Sequence, residues 1–179
     1  MYYSSELDSP FGTLTLGCSE NSLVGLWLEG QKYFGDRLLA QLKPRPELPY
    51  FQLVKDWLQR YFERQAPSPD ELNLAPLGSE FRQQVWKILC QIPYGEVLSY
   101  GDIAKQIGQQ RGGAKMSSQA VGGAVGHNPI SIIIPCHRVV GAKGNLTGYG
   151  GGIKQKIKLL EHEGLDMSRF FVPKKGTAL

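Results

Sequence analysis

The sequence predicts an α+β protein: a small amino-terminal α/β part followed by a mostly helical carboxy-terminal part. Three observations predict it. Strand-like runs, Phe11–Leu16 and Leu23–Leu28, come first, and helical periodicity dominates after residue 79. The charge also changes sign between the two parts. Residues 1–79 carry 7 Lys and Arg against 10 Asp and Glu, whereas residues 80–179 carry 13 against 6. The expected domains are 1–75 and 76–179.

In the first part, Phe11-Gly12-Thr13-Leu14-Thr15-Leu16 alternates as a strand does. A turn at Glu20-Asn21-Ser22 leads to a second strand, Leu23–Leu28. Phe51, Val54, Leu58, Tyr61 and Phe62 keep a 3.6-residue period, which predicts a helix over 51–64. Ala66-Pro67-Ser68-Pro69-Asp70 is a turn-rich break, so the boundary is expected between Pro69 and Ser79.

In the second part, Ser79 caps a helix through Phe81, Val85, Trp86, Ile88 and Leu89 that ends before Pro93. Ser99 and Asp102 form a capping box, with Asp in place of Glu, for a helix through Ile103, Ala104 and Ile107. A Gly-rich basic turn, 108–115, leads to a short helix from Gln119 to Gly126, capped by Ser117 or Ser118. Two short helices joined this way on a basic half fit a helix-turn-helix. The second contains Gly122, Gly123 and Gly126, each costing up to about 1 kcal/mol against Ala. Small residues allow close approach, either to another helix or to an outside surface.

Composition narrows the function. The net charge is +4, and no apolar run approaches the roughly 20 residues of a bilayer span. The first residues lack the basic and apolar regions of a secretory signal, so the cytoplasm is the expected location. Cys18, Cys90 and Cys136 are far apart, and the odd number argues against a disulfide framework. With His127, His137 and His162 the only histidines, no metal site is expected.

The β-branched run Ile130–Ile134 reads as a strand stopped by Pro135, with Cys136 and His137 directly after it. Cys136 is either a structural thiol or a nucleophile activated by its surroundings. Neighbouring side chains on extended backbone point to opposite faces, so His137 as a base would act through a water, or because the chain turns there. Glu163 is a candidate acid to orient it, with Gly164 a natural helix stop. Asn128-Pro129 is a turn signal whose side chain could tie that turn to the site. Cys18 and Cys90 read as structural thiols, and Lys154, Lys156 and Lys158 as a solvated basic face.

Pro135-Cys136-His137-Arg138-Val139 resembles the active-site signature of the O6-alkylguanine-DNA alkyltransferases. The resemblance takes in Pro93-Tyr94-Gly95-Glu96-Val97-x-Ser99-Tyr100, Ala120–Ala124, Asn128-Pro129, Gly148-Tyr149-x-Gly151-Gly152 and His162-Glu163-Gly164. It covers residues 80–165, and the first half only loosely. It implies a ribonuclease H-like amino-terminal domain before a winged-helix-like DNA-binding domain.

By that resemblance, Cys136 attacks the alkyl carbon on guanine O6, and thymine O4 is a second candidate substrate. His137 removes the thiol proton through a water, Glu163 polarises His137, Asn128 holds the turn, and Tyr100 protonates the leaving base. Tyr149, Gly150 and Gly151 would wall the base pocket, with Arg138 and Val139 beside the substrate and backbone amides reading the base edge. Ser118, Gln119, Ala120, Gly122, Gly123 and Ala124 would meet the DNA minor groove while the damaged base is flipped out. Transfer would consume Cys136 once, with no cofactor or metal, in a monomer acting on double-stranded DNA and not on membranes.

Gln119 departs from the pattern, since the family usually has arginine there to fill the gap left by the flipped base. Arg111 or Lys115 could compensate. Two other readings stand beside the resemblance. One is a cysteine hydrolase using Cys136 with a histidine and Asn128. The other is a protein that binds the lesion without repairing it.

Overall fold

Two glycines facing each other across a strand pair decide how the first half packs. In the computed structural model, which describes residues 1–35 and 37–174, Gly17 on β2 (Gly12–Cys18) pairs with Gly25 on β3 (Leu23–Leu28). The Trp27 ring covers both. A Cβ on Gly25 would stand 1.9 Å from that ring, and one on Gly17 would stand 3.2 Å from it. Trp27 then packs with Val24 and Leu38, flanked by Tyr2, Phe34, Leu42 and Ala75.

The sheet order is β3-β2-β1-β4, with β1 (Tyr2–Ser9) antiparallel to β2 and parallel to the short β4 (Leu42–Pro44). β1 was not expected. Its polar sequence, Tyr-Tyr-Ser-Ser-Glu-Leu-Asp-Ser, lacks an apolar alternation, and pairing along β2 makes it a strand. Helix α1 (Pro49–Phe62) begins at a proline and buries Tyr50, Phe51, Val54, Trp57, Leu58 and Tyr61. Its N-terminal end is fastened by Tyr50, whose hydroxyl donates to Asn73 O at 3.0 Å and accepts from Asn73 N at 2.8 Å.

Contacts divide the chain into two units, Met1–Leu77 with Pro129–Ile133, and Gly78–Asn128 with Ile134 onward. The single cut expected near residue 75 is thus supplemented by five residues from the distant part of the sequence. They join the edge of β3, where Leu26 N donates to Pro129 O and Ser131 N to Leu26 O, both at 2.9 Å.

Here the expected strand Ile130–Ile134 is corrected. Only Ile130 makes a bridge, to Leu26, and the chain then turns, with Ile132 at φ +69°. Left-handed backbone costs a non-glycine residue roughly 1–2 kcal/mol. β-branching signalled burial correctly, since residues 130–134 are all buried, but not extension.

The second unit contains α2 (Glu80–Leu89), β5 (Leu98–Ser99), α3 (Tyr100–Gln110), α4 (Ser118–Gly126), β6 (Val139–Val140) and α5 (Ile153–His162). Ser79 caps α2, and the Ser99–Asp102 box caps α3 reciprocally. Ser117 caps α4 by accepting from Gln119 N and Ala120 N. Trp86 Nε1 donates to Ala124 O at 2.9 Å and fastens α4 to α2. The α3-turn-α4 pair is the helix-turn-helix, and β5 and β6 form a two-stranded parallel sheet. Among the described residues no helix is long and apolar enough to cross a membrane.

Gly25→Ala is expected to cost about 1–3 kcal/mol, because the methyl group has no room under Trp27. The urea midpoint should fall with little change of slope. An unchanged midpoint would show that the ring does not need this glycine.

Candidate active site

Cys136, His137 and Arg138 occupy one turn of 3-10 helix immediately before β6. The chain therefore bends where extended backbone was one of two alternatives, with His137 and Arg138 both reaching Glu163 and Cys136 held by Asn128. Cys136 is buried, and Asn128 Nδ2 donates to its sulfur at 3.0 Å and to Ile134 O at 2.8 Å. One amide side chain thus holds both the turn before Cys136 and the thiol itself.

His137 is fully buried, with Nε2 2.6 Å from Glu163 Oε1. Nδ1 is buried and makes no hydrogen bond. Glu163 terminates α5, and Gly164 behind it takes φ +81°. Its carboxylate accepts from His137 Nε2, Arg138 Nε at 2.8 Å, Arg138 Nη2 at 3.0 Å and Gly95 N at 3.2 Å. Burial alone would push Glu163 up, but the hydrogen bonds and charge of His137 and Arg138 outweigh it. The carboxyl is held far below the usual range. Since Glu163 stays ionised and acceptor-only, Nε2 carries the hydrogen and a neutral His137 offers its lone pair at Nδ1. Burial also pushes His137 below its ordinary value, against the pull of Glu163.

Burial pushes the Cys136 thiol up, opposed by the Asn128 hydrogen bond, the Lys156 charge and the backbone amides of Cys136 and His137. At rest it is a thiol, so a nucleophilic role requires a base. Cys18, by contrast, lies in β2 and burial alone pushes it up to about 12. Cys90 is half-buried at the end of α2.

Lys156 corrects one expectation. Lys154 and Lys158 are exposed, but Lys156 is fully buried. Its Nζ donates to Val139 O, and to Thr147 O at 3.1 Å. Burial lowers it to about 8. The signal was present in the sequence: Ile153, Lys156 and Leu160 share one helix face by their spacing.

Tyr100 is buried, and its hydroxyl lies 3.0 Å from Thr147 O and 3.2 Å from Gly148 O, so it donates to this pair of carbonyls. Burial raises its pKa, which keeps the phenol neutral. Tyr149 is buried in the same loop, with Gly150 and Gly151 half-buried after it. Arg138 was expected beside the substrate. Its guanidinium instead spans Glu163 and, through Nη1, Ile92 O at 2.6 Å. Val139 is also committed, its N–H to Cys136 O and its carbonyl to Lys156.

On α4, Ser118, Gln119, Ala120 and Gly123 are exposed, whereas Gly122 and Ala124 are buried. The expected contact face is corrected by those two residues, which pack inward. A Cβ on Gly123 would meet nothing within 4 Å, so internal packing does not require glycine there. Arg111 stacks on the Phe81 ring and donates to Gln84 Oε1 at 3.1 and 2.9 Å, so it is engaged on α2. Among the described residues no three His, Cys, Asp or Glu side chains converge to hold a metal.

Both parts of the chain are matched by known proteins. Residues 80–165 match the DNA binding domain of 6-O-methylguanine DNA methyltransferase, and residues 1–76 match its ribonuclease-like domain. A methylated-DNA–protein-cysteine methyltransferase of Mycobacterium tuberculosis is 47% identical over 164 residues, which cover 91% of this chain and 93% of that protein. The crystal structure of the M. tuberculosis O6-methylguanine methyltransferase has a TM-score of 0.78 at 44% identity, covering 98% of this chain and 97% of that one. The M. tuberculosis protein solved in complex with DNA has a TM-score of 0.74 at 42% identity, covering 94% of each chain. The chain belongs to the 6-O-methylguanine DNA methyltransferase family.

The position of Lys156 has a measurable consequence. Below pH 8 Lys156 carries its proton both folded and unfolded, and the folded protein bears the whole cost of burying the charge. Between about 8 and 10.4 the folded form has shed that proton while the unfolded chain keeps it. Wild-type stability, measured against Lys156→Met, should therefore rise through this window by on the order of 3 kcal/mol. A flat difference would mean that Lys156 is solvated.

Proposed function

We propose that Cys136 is the acceptor in direct reversal of DNA alkylation, taking the alkyl group from guanine O6, with thymine O4 the second candidate. The observation that carries this reading is the buried set itself. Cys136 is held by Asn128, while His137 has its Nε2 tied to an ionised Glu163 and its Nδ1 left to accept. In one displacement the sulfur forms a bond to the alkyl carbon, the carbon–O6 bond breaks, and its electron pair passes to the purine. The thiol proton goes through a water to His137 Nδ1 and from there to solvent. Guanine recovers a proton at its ring nitrogen from Tyr100, whose hydroxyl must first turn away from the Thr147 and Gly148 carbonyls. Tyr100 is in turn reprotonated from solvent.

Lys156 opposes the desolvation of the sulfur as charge develops on it, and Tyr149, Gly150 and Gly151 form one wall of the base pocket. A thioether has no easy leaving path, so each molecule reacts once. The hydrolase reading is not favoured, because both parts of the chain match domains of 6-O-methylguanine DNA methyltransferase. The lesion-binding reading is not favoured either, because Cys136 is present together with His137, Asn128 and Glu163.

Double-stranded DNA is the partner in this reading, approached by α4 from the minor groove and bound by a monomer. Gly123 supports it: an exposed glycine with open space around its absent Cβ is explained by close approach of something outside the chain. Ser118, Gln119 and Ala120 border it, and Gln119 is the residue that fills the gap behind the flipped base. Three free thiols suit a reducing cytoplasm.

A duplex with a single O6-methylguanine should transfer one methyl group per protein to the Cys136 peptide, detected by mass spectrometry and absent from Cys136→Ala. Tight lesion binding without transfer would favour the binding-only role. Gln119→Arg adds a cation beside the phosphates and a longer reach, so duplex affinity or transfer rate should increase several-fold. If both stay unchanged, Gln119 does not occupy the gap.

A further inference from the structure

The buried charges around His137 balance in a way that proton transfer alone does not explain. His137 faces Glu163 from the end of α5, Arg138 from its own turn, Lys156 from the middle of α5 and Cys136 beside it. Glu163 is the one anion at rest, and a lone buried carboxylate 2.6 Å from an imidazole would favour a second proton on the ring. An imidazolium has no lone pair and cannot accept the Cys136 proton. Nδ1–H would also become a buried donor without an acceptor.

Arg138 meets the carboxylate side-on. Nε takes Oε2 and Nη2 takes Oε1, the oxygen that His137 also uses. This is the bidentate arrangement that pairs charge most fully. The guanidinium is itself fixed, by Ile92 O through Nη1 and by the Tyr94 ring 5.7 Å from its centre. Tyr94 in turn donates to His162 O at 3.2 Å, at the same end of α5 as Glu163. Carboxylate and guanidinium thus form a neutral unit that can orient His137 without charging it.

We propose that Arg138 is a positioning residue whose guanidinium, by neutralising Glu163, keeps His137 unprotonated at Nδ1 and available as the base for Cys136. This rests on the alkyl-transfer reading of Cys136 and His137. It differs from a substrate contact, since Arg138 acts only through Glu163 and His137. The negative shift that burial gives His137 is reinforced by the Arg138 and Lys156 charges, in agreement with the geometry.

The test is the pH profile of single-turnover methyl transfer from an O6-methylguanine duplex, run beside Cys136 labelling by iodoacetamide, from pH 5.5 to 9. In Arg138→Met the acid-side loss of rate should move up by at least about one pH unit, roughly a tenfold deficit on the limb that vanishes toward high pH. Arg138→Lys should keep the wild-type limb position, because it keeps the charge. Glu163→Gln should move the limb the other way, which supplies a reading even if Arg138→Met does not fold. A purely structural role predicts the same loss at every pH, and that result, or unshifted limbs in Arg138→Met and Glu163→Gln, overturns the proposal. If wild-type Cys136 takes no methyl group at all, the alkyl-transfer reading fails. If Cys136 is methylated but the limbs do not move, only the role of Arg138 fails.

Discussion

Glu163 holds a buried negative charge, and the arrangement around Cys136 follows from how that charge is shared. An ionised carboxylate away from water persists only where donors replace its hydration. Here they come from a histidine, an arginine and a backbone amide on separate segments: the turn after Pro135, and Gly95 in the link between α2 and β5. Whatever holds Glu163 therefore also holds those segments to the end of α5. Taking away either charged partner leaves the other facing uncompensated charge. Such sites tolerate change less well than an apolar core of equal size.

A second set of contacts organises the other side of the thiol. Lys156 reaches from α5 to the carbonyls of Val139 and Thr147, and Tyr100 reaches from α3 to those of Thr147 and Gly148. The loop carrying Tyr149 is thus fastened by two side chains on two different helices. Val140, Leu146 and Leu160 pack beneath it. Reactivity and pocket shape share these fasteners, so a change in one is felt in the other.

Local chemistry was legible in the sequence wherever it depends on neighbours along the chain. The Ser79 cap, the Ser99–Asp102 box and the Gly164 stop all act within a few residues and were readable from residue type and spacing, while the α4 cap was narrowed to Ser117 or Ser118. Cys136, His137, Asn128, Glu163 and Tyr100 stood out through their motif. What escaped depends on distant partners. β1 is a strand because β2 pairs with it, not because of its own composition. The run 130–134 is buried and apolar like a strand, yet its turn is visible only once β3 receives Ile130. Arg138 looks like a solvent-seeking cation until the carboxylate that faces it is known. Gly122 and Ala124 share a small-residue stretch with Gly123, and only packing separates the buried pair from the exposed one.

The excursion from Asn128 to Ile134 carries a consequence for how the sequence can drift. Asn128 closes it at the neck by bonding Ile134 O, and Ile130 anchors its far side on β3. Both fixings are counted in residues, one from Asn128 forward and one from Cys136 back. Inserting or deleting a single residue would throw one of them out of phase, whichever side chain were chosen. Natural variation in this excursion should therefore appear as substitutions and not as gaps.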